Sequence, residues 1–215
     1  MIEITRHDDV QRVRMWTRRS AAVGYDVSAY LVRGVLVDTG FRHVSNELER
    51  VLETLAPRGV IVTHSHEDHA GNASTLAKRL PMWMPDYTER VLRDRPSVKL
   101  YRHFTWGRPT PLRVTLTSFD VAPLRLVATP GHSPDHHVVF DAHRGLVSNP
   151  VAALNAKRSW LQETVAEIER RLDAGETHSR ILRAVLGGEE RTAFVSQGEY
   201  SRRNLIRTVE RHRPG

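Results

Sequence analysis

Hydrophobic and polar positions along residues 25–40 follow the pattern of β-strands. The segment Y-D-V-S-A-Y-L-V-R-G-V-L-V-D-T-G alternates at first and then becomes continuously apolar, which predicts two strands joined at Arg33 and Gly34. The second strand ends at Asp38-Thr39-Gly40, which is typical of a strand that runs into a loop. A short buried strand is predicted over residues 60–62. Further strands are predicted over residues 113–116, 124–128 and 137–140.

Helical spacing of apolar residues appears between these strands and again after residue 150. Residues 45–55 form a predicted helix that Pro57 and Gly59 close, and residues 72–80 form another that ends at Pro81. Three more helices are predicted over residues 156–172, 177–186 and 200–209. The first of these carries an apolar stripe, which predicts a buried face made of Leu161, Val165, Ile168 and Leu172. Arg170 and Arg171 are expected at the surface.

This order of elements predicts two regions. Residues 1–150 form one domain, and residues 151–215 form a helical extension that packs on it. Residues 81–123 are rich in Pro and Arg, and we expect them to cover part of the domain as loops.

Length and composition are those of a globular protein. A chain of 215 residues can bury a core, and 40% hydrophobic with 27% charged residues argues against disorder. No run approaches the roughly 18 consecutive apolar residues of a membrane span, and the first residues lack the apolar core of a signal peptide. We therefore expect a cytoplasmic protein without a membrane partner. Because the chain has no cysteine, any metal must be held by His, Asp or Glu.

The net charge of +7 raises the question of a nucleic-acid partner. The basic residues are scattered along the chain and form no run of five or more. A nucleic-acid site usually concentrates them on one face or interleaves them with aromatic residues. We therefore expect a solvated basic surface and no specific nucleic-acid partner. The C-terminal helices superficially resemble a helix-turn-helix, but their apolar stripe favours a packing role.

Four metal-binding side chains occur within six residues directly after the predicted strand at 60–62. They belong to the loop His64-Ser65-His66-Glu67-Asp68-His69, where the chain turns toward the next helix and the side chains can converge. Imidazole nitrogens and a carboxylate suit zinc or iron, and an incomplete protein shell leaves positions for water. A metal lowers the pKa of that water toward neutrality, which is the chemistry of hydrolysis. Beside this cluster, His132 becomes a candidate fifth ligand.

Three segments resemble the metallo-β-lactamase superfamily. The segment from Thr63 to Asn72, T-H-S-H-E-D-H-A-G-N, is similar to the family's signature loop. Thr129-Pro130-Gly131-His132-Ser133 resembles its next metal-binding loop, and Val37-Asp38-Thr39-Gly40 its early Asp-Thr-Gly segment. The resemblance covers about the first 140 residues. It implies an α/β fold, an αββα sandwich that is shortened here and followed by C-terminal helices.

The same resemblance implies a ligand set. His64, His66 and His132 would hold a first metal, and Asp68 and His69 part of a second. Asp38 would orient the loop without binding the metal; an ordinary strand-end cap is the other interpretation of this residue.

Two ligands that the family normally has after the His132 loop, a bridging Asp and a last His, have no clear counterparts. One interpretation makes residues 146–148 a return strand, which puts Asn149 at the position of the bridging Asp. The other treats His143 as the last His and leaves the Asp-bearing segment absent. Strand geometry at about 3.3 Å per residue instead favours His143 as a turn residue, so both remain open. Asp135 and Asp141 could substitute for the carboxylate, although each is expected to be solvated.

The resemblance, which is to the hydroxyacylglutathione hydrolases and their relatives within the family, implies a metal-dependent hydrolase of small ester, thioester or lactone substrates that uses metal-bound hydroxide. Asp68 would position or deprotonate the water. The cofactor is expected to be one or two zinc ions, with iron or manganese as alternatives. Without the bridging Asp the enzyme could be impaired, so a degenerate scaffold that has lost turnover is one alternative. A phosphodiesterase or nuclease of the same fold is the other.

Overall fold

The structure is a computed structural model that describes residues 1–22, 24–94, 98–122, 124–129, 132–138 and 149–213. Two compact units make up the chain, Met1–Leu146 and Val147–Gly215. The packing of a helical extension on a first domain stays a prediction. Among the described residues, no helix combines the length and the apolar character needed to cross a lipid bilayer.

A six-stranded sheet forms the base of the first unit, and its strands lie side by side in chain order. They are β1 Ile2–His7, β2 Val10–Met15, β3 Val27–Val32, β4 Val35–Val37, β5 Gly59–Ile61 and β6 Met82–Trp83. Strands β1 to β4 pair antiparallel, whereas β4, β5 and β6 pair parallel. Every residue of β3, β4 and β5 is buried, as expected of strands that are covered on both faces.

The hairpin between β3 and β4 forms where the sequence predicts it. Arg33 and Gly34 both have positive φ angles, 50° and 76°, and this conformation follows the twist of the flanking strands in a two-residue turn. Val32 pairs with Val35 across the turn. The predicted hairpin is confirmed, and the strand predicted at residues 60–62 is present one residue earlier.

Short helices connect the strands of the first unit. They are α1 Arg18–Ala22, α2 Ser45–Leu55, α3 Glu67–Ala70, α4 Ala73–Leu76, α5 Asp86–Arg93 and α6 Leu100–Trp106, with one turn of 3-10 helix at Arg42–Val44. Helix α2 coincides with its prediction, buries Leu48 and Leu52, and ends at Ala56 in a left-handed conformation. The helix predicted over residues 72–80 is wrong in length, since α4 ends at Leu76.

A second, two-stranded ladder lies later in the unit. Strand β7, Val127–Ala128, pairs antiparallel with β8, His137–Val138. Strand β7 is shorter than the strand predicted over residues 124–128, and residues 139–140 of the other predicted strand lie outside the described residues. The short strands predicted at residues 113–116 are wrong. The loops otherwise expected over residues 81–123 are also wrong in part, because this segment contains β6, α5 and α6. A mixed sheet with several helices nevertheless confirms the predicted α/β class.

Helices alone form the described part of the second unit: α7 Pro150–Asp173, α8 His178–Leu186, α9 Arg191–Val195 and α10 Arg203–Arg211. The three predicted helices are present with shifted ends. The core of this unit consists of fully or nearly fully buried side chains from α7, α8 and α10, namely Ile168, Ile181, Leu182, Ile206 and Val209.

The predicted stripe on α7 is buried only in part, since Val165 and Leu172 are partly buried. Leu161 is 43% exposed, whereas Ile168 is fully buried. Helix α7 has 24 residues, but its partners α8 and α10 have nine each. At about 1.5 Å per residue, nine residues cover less than half of α7. Periodicity identifies the face of a helix, but the length of its partners decides how much of the face is covered.

This difference between the two positions predicts the effects of truncation. Ile168→Ala is expected to lower the free energy of unfolding by about 2 to 5 kcal/mol, because it leaves a cavity in a closed core. Leu161→Ala is the matched control, and it should change that free energy by less than about 1 kcal/mol. Urea denaturation followed by circular dichroism measures both. Equal losses in the two variants would contradict the burial described here.

Candidate metal centre

The sheet topology brings the candidate residues to one edge. Parallel strands β4, β5 and β6 all end on the same side of the sheet, where ligands bind in open α/β sheets. Asp38 follows β4 directly, and the loop that begins at His64 follows β5. The turn that carries His132 joins β7 to β8 and is linked to this edge by the bond from His137 N to Thr63 O, 3.2 Å.

Three histidines meet at this edge. One ring nitrogen from each of His64, His66 and His132 can be chosen so that all lie within 4.8 Å of one another. The closest pair is His66 Nδ1 and His132 Nε2, at 3.1 Å. The structure therefore brings together the three residues that the sequence analysis assigned to a first metal, although His132 is 66 positions from His66.

A relay of hydrogen bonds selects the tautomer of His64. The Thr63 hydroxyl donates to the carboxylate of Asp38, 2.9 Å from Oδ1 and 3.0 Å from Oδ2. Since its single proton is used there, the same oxygen accepts from His64 Nδ1, 3.0 Å away. The proton of His64 is thereby assigned to Nδ1, and the lone pair of Nε2 faces the cluster.

Asp38 also holds His69. Its Oδ2 accepts from His69 Nδ1 at 2.7 Å, and its Oδ1 accepts from the Thr63 amide at 2.8 Å. This leaves His69 Nε2 directed toward Asp68, whose Oδ2 is 3.7 Å away. Of the two interpretations of Asp38, the structure supports the residue that orients the loop, because its carboxylate contacts His69 directly and is connected to His64 through the Thr63 hydroxyl.

Close packing of two loops makes this arrangement possible. Thr39 N donates to His69 O at 2.8 Å, and the Asn72 side chain donates to Thr39 O at 2.8 Å and to Phe41 O at 3.0 Å. At Gly71 a Cβ atom would stand 2.6 Å from the Cα of Phe41. Only glycine permits this approach, which gives the A-G-N end of the motif a packing role.

Burial divides the histidines into two electrostatic groups. Burial lowers the pKa of His64 and of His132, and it lowers the pKa of His66 to about 4. Burial also opposes the charge on His69, but the carboxylates of Asp38 and Asp68 outweigh it and raise the pKa of His69 to about 9. At neutral pH the first three imidazoles are therefore neutral and His69 is a cation.

An arginine that the sequence analysis missed reaches the second group. Arg102, on α6, forms an ion pair with Glu67 through Nε, and its Nη2 lies 3.9 Å from Asp68 Oδ1. All three side chains are buried. Burial raises the pKa of Glu67, and the guanidinium opposes that shift. No pattern in residues 81–123 distinguishes this arginine from the many around it.

Two residues that follow His132 closely also lie at the site, although the sequence analysis did not place them there. His136 has its ring centroid 5.0 Å from that of His64 and 5.3 Å from that of His132. Asp135 was expected to be solvated, but it is only 4% exposed, so that expectation is wrong. The sequence signal that could have identified both residues is their position, three and four residues after the candidate ligand His132.

The residues considered for the missing ligands are not all described. Asn149 is the N-cap of α7, where its Oδ1 accepts from Ala152 N at 3.0 Å. This residue is therefore a helix cap in the second unit. His143, Asp141 and the strand predicted at residues 146–148 lie outside the described residues.

The donor set fits a transition-metal ion. His64 Nε2 is buried and, in the part of the chain that the structure describes, has no hydrogen-bond partner. Such a nitrogen is costly to bury without a partner, and a metal ion would supply one. Three neutral imidazoles whose nitrogens lie within 4.8 Å of one another are a donor set that zinc and similar metals accept.

Comparison with known proteins agrees with this chemistry. The family model described as "Metallo-beta-lactamase superfamily" matches residues 22–148. The "Probable metallo-hydrolase YybB" of Bacillus subtilis is 26% identical over 120 residues, 49% of this chain and 50% of that protein. The "Beta-lactamase-like protein 2 homolog" of Caenorhabditis elegans is 27% identical over 114 residues, 47% of this chain and 34% of that protein. The chain thus spans half or less of the length of these curated relatives.

Solved structures are similar at lower identity. The crystal structure of DIM-1 metallo-β-lactamase is 18% identical, covers 65% of this chain and 64% of its own, and gives a TM-score of 0.47. FIM-1 from Pseudomonas aeruginosa, in a mono-zinc form, is 16% identical, covers 65% and 64%, and gives a TM-score of 0.46.

The hydrogen bonds of Asp38 predict its contribution to metal binding. Asp38→Asn is expected to weaken zinc binding by about 10- to 100-fold, the usual range for a residue that orients a ligand. The amide has one accepting oxygen, and its NH₂ group would face a donor. Competition with a chromophoric chelator measures the affinity. Asp26→Asn is the control, because Asp26 pairs with Arg14 on the sheet, and it should bind zinc as the wild type does. Unchanged affinity in Asp38→Asn would contradict the role of Asp38.

Proposed function

Since this chain belongs to the metallo-β-lactamase superfamily, we propose that it is a metal-dependent hydrolase of small ester, thioester or lactone substrates. The observation that carries the proposal is the convergence of His64, His66 and His132 on one point. Relatives support the general class, because one of them is named a probable metallo-hydrolase. The narrower substrate class is our proposal, and it rests on the resemblance of the histidine-rich loops to those of the hydroxyacylglutathione hydrolases.

His64, His66 and His132 would hold the first ion, and Asp68 with His69 would contribute to a second. We propose zinc, since three neutral nitrogen ligands match its preference, with iron or manganese as alternatives. An ion bound there supplies a Lewis acid, which lowers the pKa of a water ligand and polarises a carbonyl oxygen.

The protein's own groups would orient and move protons beside that ion. Asp68 lies between the Arg102 guanidinium and the His69 imidazole, 3.9 Å and 3.7 Å away. At this position Asp68 can accept a hydrogen bond from a water molecule or take up its proton. Arg102 is held by Glu67 and therefore keeps its position during this exchange.

The bonds already made by the described carboxylates favour a second candidate function, a scaffold that binds metal with little turnover. Asp38 is committed to Thr63 and His69, and Glu67 is committed to Arg102. Of these three carboxylates, Asp68 is thus the one best placed for a second ion. A binuclear enzyme normally relies on a carboxylate that bridges its two ions, and the bonds of Asp38 and Glu67 do not leave them available for that role.

Location and partners stay predictions from the sequence. These are a cytoplasmic protein, a small-molecule substrate, and no specific nucleic-acid or membrane partner.

A panel of model substrates tests the hydrolase. We expect zinc-loaded protein to hydrolyse p-nitrophenyl acetate, an acylated glutathione or γ-butyrolactone. His64→Ala should abolish this activity and Asp68→Ala should reduce it less, because only the first removes a ligand of the three-histidine cluster. The control His7→Ala changes an exposed histidine of β1 and should leave the activity unchanged.

Each other result has a distinct meaning. Tight zinc binding without turnover on any substrate would favour the scaffold. Hydrolysis of bis-p-nitrophenyl phosphate alone would favour a phosphodiesterase. A wild type that binds no metal would overturn both proposals.

The charge state of His69 predicts that two ions would bind unequally. A second ion must displace the proton that the raised pKa of about 9 keeps on His69, whereas His64 and His66 are already neutral. Below that pKa, the affinity of the second site should therefore rise about tenfold per pH unit, and the affinity of the first should change less. Equilibrium dialysis against zinc buffers near pH 7 and pH 8 measures both. Two equally tight sites near pH 7 would contradict this prediction.

A further inference from the structure

Asp135 is buried in the turn that carries His132. Its side chain accepts two hydrogen bonds on one oxygen, Oδ2: from the Ser65 amide at 2.8 Å and from the Thr88 hydroxyl at 2.7 Å. A buried carboxylate is costly unless its bonds compensate for lost hydration. The residue therefore joins three elements that are distant in sequence.

The first bond reaches the backbone between two candidate ligands. Ser65 lies between His64 and His66, and Asp135 lies three residues after His132. A contact between Ser65 and Asp135 thus connects the two loops next to the metal-binding side chains. A second connection, from His137 N to Thr63 O at 3.2 Å, is backbone to backbone and does not depend on a side chain.

The turn is also closed at its base. Thr129 N donates to His136 O at 2.8 Å, and the Thr129 hydroxyl lies 2.9 Å from His136 Nδ1. These bonds hold the two ends of the turn together, but they do not fix its position relative to the His64 loop. That position depends on the backbone bond from His137 N to Thr63 O and on the side-chain bonds of Asp135.

We propose that Asp135 is a positioning residue that sets the distance between His132 and the His64–His66 pair and thereby the affinity of the first metal site. The inference rests on the proposed metal-dependent function. It also assigns Asp135 a role other than that of a substitute bridging ligand, since Oδ2 is bonded to Ser65 and Thr88 and, among the described residues, the metal-binding cluster of His64, His66 and His132 does not include Asp135. Thr88, near the start of α5, donates one of the two hydrogen bonds that hold the Asp135 carboxylate.

Three variants separate the parts of this role. Asp135→Ala removes both bonds, Thr88→Val removes one with little change of shape, and Asp135→Asn keeps an oxygen that can take the place of Oδ2. Cobalt(II) is the probe, because its visible absorption reports the coordination geometry as well as the affinity. We expect Asp135→Ala to weaken cobalt binding about 10- to 100-fold and to alter the spectrum. Thr88→Val should have an intermediate effect, and Asp135→Asn should recover most of the affinity and the wild-type spectrum.

Stability measurements distinguish positioning from a general structural role. Asp26→Ala, which removes an ion pair with Arg14 on the sheet, serves as a control that can lower stability without altering the cobalt spectrum. If Asp135→Ala or Thr88→Val lowered the free energy of unfolding but kept wild-type cobalt affinity and spectrum, the inference would be overturned. Should Asp135→Ala fail to fold, the cobalt affinities and spectra of Thr88→Val and Asp135→Asn still test the inference.

Amide exchange separates this inference from the proposed function. In metal-free protein, Asp135→Asn should protect the Ser65 amide from hydrogen exchange, whereas Asp135→Ala should expose it. A wild type that binds no cobalt but shows this exchange pattern would refute the metal-dependent function while supporting the link between the loops. Equal protection of Ser65 in all variants would overturn the link itself.

Discussion

The buried carboxylate of Asp38 receives hydrogen bonds from two side chains, Thr63 and His69, and from the Thr63 amide. Its φ angle of 64° lies in the left-handed region, which aspartate tolerates better than most residues. Placed directly after β4, it can reach both the start and the middle of the loop that follows β5. These bonds orient His64, through Thr63, and direct the ring of His69. They also compensate for the cost of burying the carboxylate, which would be strongly destabilising without them.

Around this carboxylate, the site has two electrostatic halves. His64, His66 and His132 are neutral because burial disfavours their charged forms. In the other half, cations and carboxylates already compensate one another through His69 with Asp38 and Arg102 with Glu67. The first half offers lone pairs without protons to remove, whereas the second is a set of ion pairs that an incoming cation must rearrange. This difference is the physical reason to expect that ions bound at the two halves would be held with unequal affinity.

Long-range packing accounts for the residues whose burial or role could not be predicted correctly from the sequence. The face of α7 is correctly given by periodicity, but Leu161 is exposed because its partner helices are shorter than α7. Arg102 has no sequence signal among the other arginines, and only the position of α6 brings it to Asp68. Asp135 has the composition of a loop residue and becomes buried because α5 and the His64 loop close over it.

By itself, the sequence determined the β3–β4 hairpin, helix α2, the α/β class and the identity of the histidine-rich loops. These features depend on period, turn residues and spacing within about ten positions, so the local chain contains all the information needed. Only the tertiary structure decided that His132 meets His66 across 66 positions, which tautomer Thr63 and Asp38 select for His64, and that Asp135 links the two loops. Burial and hydrogen bonding between distant segments set these properties, because they depend on which groups the folded chain brings out of water together.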